Sequence, residues 1–64
     1  MKIRFSPSGE ESEIAGVRRV HALLERLQIL PGTVLVIRGD ELLTEDASLA
    51  PHDEIEIRSV VSGG

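Results

Sequence analysis

One apolar stripe at helical spacing decides what this chain can build. Val17, Val20, Leu23, Leu24 and Leu27 share one face, with Arg18, Arg19, Glu25 and Arg26 outside it. That is the pattern of an amphipathic helix that buries one side. Gly16 breaks the preceding segment and marks the expected start, although no Ser, Thr or Asp stands there as a cap. Pro31-Gly32 cannot continue a helix, so the stop is expected near Gln28. The stripe reads as core rather than as a membrane-surface face. A lone helix needs a second layer, and the remaining residues can supply it only as strands.

Strand patterns lie on both sides of it. Met1, Ile3 and Phe5 alternate with Lys2 and Arg4, the period-two signature of a half-buried strand. Ser6-Pro7-Ser8-Gly9 is turn chemistry, and 11–15 is expected to return as the second arm of a hairpin. Residues 33–37 are β-rich and apolar on both faces, as in a strand covered from both sides. Arg38-Gly39-Asp40 turns into a short Glu41-Leu42-Leu43 strand, and 44–49 reads as a capped helical turn or loop. Pro51-His52-Asp53 is a further turn, with His52 expected in the left-handed region. Ile55 and Ile57 then alternate with Glu54, Glu56 and Arg58 in a last strand. The order is strand, strand, helix, strand, short strand, strand. This is the plan of an α+β domain, a mixed sheet of four to five strands packed on one main helix, in which the first and last strands can sit side by side in the middle. Residues 1–61 form the domain and 62–64 a flexible tail.

Composition removes several classes of function. A net charge of −4, from 11 acidic and 7 basic residues, argues against a phosphate-backbone footprint, so no direct nucleic-acid partner is expected. One Phe and no Trp or Tyr leave no stacking platform for bases. No apolar run is long enough to span a membrane, and the first residues do not form a signal peptide, so the expectation is a cytoplasmic protein with no membrane partner. Without cysteine there is neither a thiolate metal site nor a thiol nucleophile.

The remaining candidates for chemistry are sparse. His21 and His52 lack helical ligand spacing and any cysteine partner, so no metal site is expected. Asp40-Glu41, Glu45-Asp46 and Asp53-Glu54 lack the spacing of a calcium loop, and turn positions give them none of the burial that separates the two pKa values of a catalytic pair. No phosphate-cradling glycine loop occurs. The chain reads as a non-enzyme.

Ser62-Gly63-Gly64 is the exception. Two glycines make the narrowest and most pliable peptide available, able to carry a terminal carboxylate into a slot that side chains would block. The expected reactive group is the Gly64 carboxylate, with Ser62, Gly63 and Gly64 entering a partner's active site. A carboxylate resists nucleophiles until one oxygen becomes a leaving group. Attack on the α-phosphate of ATP would provide that, with ATP and magnesium used by the partner and no cofactor bound by this chain. Val60 and Val61, beside the tail, are candidates for the partner surface.

With this size, element order and Gly-Gly ending, the chain resembles the ThiS/MoaD-type sulfur carriers, prokaryotic relatives of ubiquitin with the β-grasp fold. The likeness rests chiefly on 33–43, 49–57 and 60–64. It departs where His52-Asp53 replaces the Gly-Asp turn that the family often has before the last strand. The resemblance implies adenylation of Gly64 by a ubiquitin-activating-type enzyme and conversion to a thiocarboxylate. It also implies a sulfur donor of cysteine desulfurase or rhodanese-like type and a downstream sulfur-accepting enzyme. The 38–44 run and the 59–64 ending look most like carriers for tRNA 2-thiouridine, with the thiazole of thiamine close behind and molybdopterin third. Alternatives are a ubiquitin-like modifier joined through Gly64 to lysines, and a β-grasp interaction module without carrier chemistry.

Overall fold

The alternating first strand and the alternating last strand lie side by side at the centre of the sheet. In the computed structural model, which describes residues 1–60, these are β1 (Lys2–Ser6) and β5 (Glu54–Ser59). They run parallel, in the register Ile3 to Ile55 and Phe5 to Ile57. Outside them, β2 (Glu11–Glu13) pairs antiparallel with β1, and β3 (Val34–Arg38) antiparallel with β5. The short β4 (Glu41–Leu43) returns antiparallel to β3, giving the order β2-β1-β5-β3-β4. The helix α1 (Val20–Arg26) crosses one face. Period two sends Ile3, Ile55, Ile57, Val36 and Leu43 to that face, where Val20, Leu23, Leu24 and Leu49 complete the core. Among the described residues no helix is long and apolar enough to cross a membrane.

The helix is shorter than its stripe. It begins at Val20, not at Gly16, because Gly16 has φ of +85° and Arg19 is extended at φ −136°, ψ 154°. Competition from another segment explains this. The 44–49 stretch, a turn and loop rather than a helical turn, runs past the helix start and pairs Arg19 with Ser48. Its Ala47 and Glu45 carbonyls accept from the Val20 and His21 amides at 3.1 and 3.0 Å, and the Leu49 amide donates to the Arg18 carbonyl at 2.9 Å. Backbone from a distant loop thus satisfies donors that a side-chain cap would otherwise serve. Val17, outside the helix, still packs against the core.

At the other end the stop comes before Pro31-Gly32. The Gln28 amide donates to the Glu25 carbonyl at 3.1 Å and the Ile29 amide to the Leu24 carbonyl at 2.9 Å. These two bonds form a Schellman cap, with Gln28 in the left-handed region at φ 60°. Among the described residues other than glycine, the left-handed one is therefore Gln28 and not His52. The 50–53 turn closes with ordinary torsions, because the Asp53 amide donates to the Ala50 carbonyl at 3.1 Å while the Asp53 carboxylate accepts from the Ala50 amide at 2.8 Å.

Two strands also differ from the sequence reading. Thr33 belongs to a 3-10 turn (Pro31–Thr33), its hydroxyl donating to the Leu30 carbonyl at 2.7 Å, so β3 starts at Val34. The strand β3 is covered on one face only: Val36 is 4% exposed and its neighbour Leu35 37%. The second strand ends at Glu13, short of Ala15. Val61, Ser62, Gly63 and Gly64, and with them the expected boundary between 61 and 62, lie outside the described residues.

Candidate functional site

The strand that leads to Ser62-Gly63-Gly64 is the best anchored in the sheet. Each flank of β5 is paired, with β1 on one side and with β3 from Val34–Ser59 to Ile37–Glu56 on the other. The Val60 amide continues the ladder by donating to the Thr33 carbonyl at 3.2 Å. Ladder bonds hold β5 on the β1 side as far as Arg58 and on the β3 side as far as Val60. Val60 itself is 48% exposed; Val61, its companion in the expected partner surface, falls outside the described residues.

The face of the sheet opposite α1 carries a banded surface. One rung crosses all five strands: Glu11, Arg4, Glu56, Ile37 and Leu42 stand in register. On the β2-β1-β5 side it is charged. Glu11 pairs with Arg4 at 3.7 Å and with Lys2 at 3.9 Å. Glu56 accepts from the Ser6 hydroxyl at 2.9 Å and from the Arg58 guanidinium at 3.0 and 3.2 Å. The Ser6 hydroxyl, and after it Arg58, hold the Glu56 carboxyl below the usual carboxylate range. On the β3-β4 side the same face is apolar, formed by Leu35, half-buried Ile37 and Leu42, which is 60% exposed. Exposed apolar side chains grouped beside a charged band give this edge of the sheet the make-up of a protein interface, an apolar centre with a polar rim.

The sequence held a signal for this patch that the reading of 33–37 as doubly covered missed. Leu42 and Leu43 are adjacent in a strand, so they point to opposite faces and only one can enter a one-sided core. Leu43 does. In β3, where Val36 takes the core, Leu35 and Ile37 are left facing out.

Arg38 ties the far end of the sheet together. It donates to Asp53 Oδ2 and to the Ser48 carbonyl, both at 3.0 Å, and approaches Glu41 at 3.5 Å. The Ala50 amide, and after it Arg38, hold the Asp53 carboxyl below its ordinary value, while the hydrogen bond to Asp53 raises Arg38. This cluster is a brace. It closes the 44–53 loop over the core at the end of β5 opposite Val60, and it takes up the Asp53 carboxylate in holding that loop. His21 and His52 are exposed, and among the described residues no three His, Cys, Asp or Glu side chains converge on a point. The described residues make β5, paired on both flanks, a firm base for the residues that follow it.

A five-stranded mixed sheet with parallel central strands gripping one helix is the β-grasp, and this molecule is a β-grasp domain. Residues 3–64 match the ThiS family, to which the chain belongs. Among its relatives is the sulfur carrier protein TtuB of Thermus thermophilus, 40% identical over 58 residues, covering 91% of this chain and 89% of that protein.

Proposed function

We propose that this chain is a sulfur carrier whose Gly64 carboxylate is adenylated by a ubiquitin-activating-type enzyme and converted to a thiocarboxylate. The observation that carries the reading is a family match that runs through to Gly64, supported by the likeness to a named sulfur carrier across nine-tenths of the chain. In the first step a Gly64 oxygen attacks the α-phosphate of ATP and pyrophosphate leaves. The outer sulfur of a persulfide on a cysteine desulfurase or rhodanese-like donor then attacks the acyl carbon and AMP leaves. A second thiol of the partner enzymes attacks the resulting acyl disulfide, freeing the thiocarboxylate as a disulfide forms on the partner. Nucleotide and magnesium are held by the activating enzyme. This chain supplies the carboxylate, the slender Gly63 lead-in and the docking surface. That surface is the Leu35, Ile37 and Leu42 patch together with Val60. It would position the carrier while the tail reaches into the enzyme.

The proposed destination of the sulfur is tRNA 2-thiouridine. The resemblance of 38–44 and 59–64 to carriers of that pathway favours it over thiamine thiazole and molybdopterin. The acidic carrier would hand its sulfur to a thiolating enzyme and make no contact with tRNA itself.

ATP–pyrophosphate exchange with the activating enzyme tests the chemistry. The chain ending at Gly64 should support exchange, and intact mass spectrometry after addition of the sulfur donor should show one oxygen replaced by sulfur at the last residue. A chain extended by one residue past Gly64 should keep its fold and lose exchange altogether. Undiminished exchange by the extended chain would overturn the reading.

A further inference from the structure

Of the seven Lys and Arg residues only Lys2 is a lysine. Guanidinium groups stay protonated and do not attack acyl groups, so Lys2 is the only side chain in the sequence with an aliphatic amine. Its place in the fold matters once Gly64 is activated, a condition that rests on the reading above. Lys2 opens β1 and stands in register with Glu54, the first residue of β5. Because β1 and β5 are parallel, the amine sits at the start of β5 while the tail departs from its end. Val60 lies six positions beyond Glu54, about 20 Å at the rise of a parallel strand. The four residues after Val60 span at most about 14 Å when straight. To reach Lys2 they would have to double back along the sheet, and a turn consumes about two of the four residues, so the remaining two, at roughly 7 Å, and the Lys2 side chain, about 6 Å from Cα to Nζ, still fall short. The α-amine of Met1 lies one residue further away still. Ion pairing of Lys2 with Glu11 at 3.9 Å keeps its head group on the charged side of the open face. At the exit of β5, the cation nearest the tail in the chain is Arg58, on the same face as Lys2 and 56% exposed along its side chain.

We propose that the parallel β1–β5 pairing, together with arginine in place of lysine near the tail, keeps the chain's amine out of reach of its own activated carboxyl. The activated Gly64 is then captured only by nucleophiles from outside the molecule. An amine within reach would attack the acyl carbon, expel the leaving group and close a lactam. The carrier would be lost at each such event, because an amide is not reactivated by sulfide.

A chemically made acyl donor tests this without any enzyme. The chain is prepared as a C-terminal thioester by intein cleavage and held in dilute, mildly alkaline buffer, and its intact mass is followed. The wild-type thioester should hydrolyse to the acid with no species lighter than the acid by one water. The Arg58→Lys thioester, with its fold checked by circular dichroism, should give that lighter species at least about ten-fold above wild type, as proximity effects predict. Peptide mapping should place the link between position 58 and Gly64. Lactam formation in the wild type, at Lys2 or at the α-amine, would overturn the proposal. A folded Arg58→Lys chain that forms no lactam would also overturn it, since the placement of the amine would then not be what protects the ester. Failure of the activation reading would appear instead as absent pyrophosphate exchange and would leave this result standing.

Discussion

The two faces of the sheet are built from neighbouring residues of the same strands and behave oppositely. On the helix side, Phe5, Ile57, Val36 and Leu43 stand in one rung across four strands. Of these, Ile57, Val36 and Leu43 are buried beneath a core that also holds Leu23 and Leu24. One residue along, Arg4, Glu56, Ile37 and Leu42 make the open rung, half charge and half exposed hydrocarbon. A single-residue step moves a side chain from one environment to the other. The covered face holds the molecule together, and the open face is free to carry recognition. A small domain has stability to spare on neither, so the division should be sharp when tested.

The largest effect should come from the covered face. Leu23→Ala removes a fully buried side chain and should cost about 2–5 kcal/mol, measured by urea denaturation. In a domain of this size that lowers the melting temperature by on the order of 10 °C or more. A loss no larger than that of a surface substitution would break the comparison. A smaller effect is expected at the rim, where Asp53 braces the sheet end. Its folded pKa is depressed by the Ala50 amide and Arg38. Its contribution is therefore present above the unfolded pKa, about 3.9, and is lost as pH falls through the folded value. Asp53→Asn should melt a few degrees lower at neutral pH. The difference from wild type should shrink in scans carried below about pH 4. A gap that widened on acidification would contradict the sign. The smallest stability effect should fall on the open face. Leu42→Ser should stay within about 0.5 kcal/mol of wild type yet weaken capture by the activating enzyme, raising the KM for the carrier in pyrophosphate exchange. Equal KM values would remove Leu42 from the docking surface.

Much of this was legible in the chain because short-range rules govern it. Period two in 1–5 and 54–58 gave the central strands, and the stripe ending at Leu27 gave the one helix. The Gly-Gly ending singled out the end proposed to react. The patch on β3 and β4 was not recognised, although adjacent Leu42 and Leu43 implied an outward leucine. Apolar residues on both sides of a strand say only that both sides are apolar, not how many layers exist to cover them. A second covering layer would have needed another amphipathic helix, and the described residues contain none.

What the sequence determined by itself is the set of elements, the family and the group proposed to react. These depend on periodicity, on turn residues and on two glycines, all readable within a few positions. Only the tertiary structure decided where α1 begins, which residue is left-handed, which leucines face out and how far Lys2 stands from the end of β5. The cap that holds Gln28 left-handed is local, within 24–29; the others are settled by segments remote in sequence. The 44–49 loop takes the amides at the helix start, and the Schellman cap holds Gln28 left-handed to close the helix over the core. The one-sided sheet chooses between Leu42 and Leu43. The parallel pairing of β1 with β5 puts the amine and the root of the tail at opposite ends, because two strands running the same way carry their first residues to one pole and their last to the other.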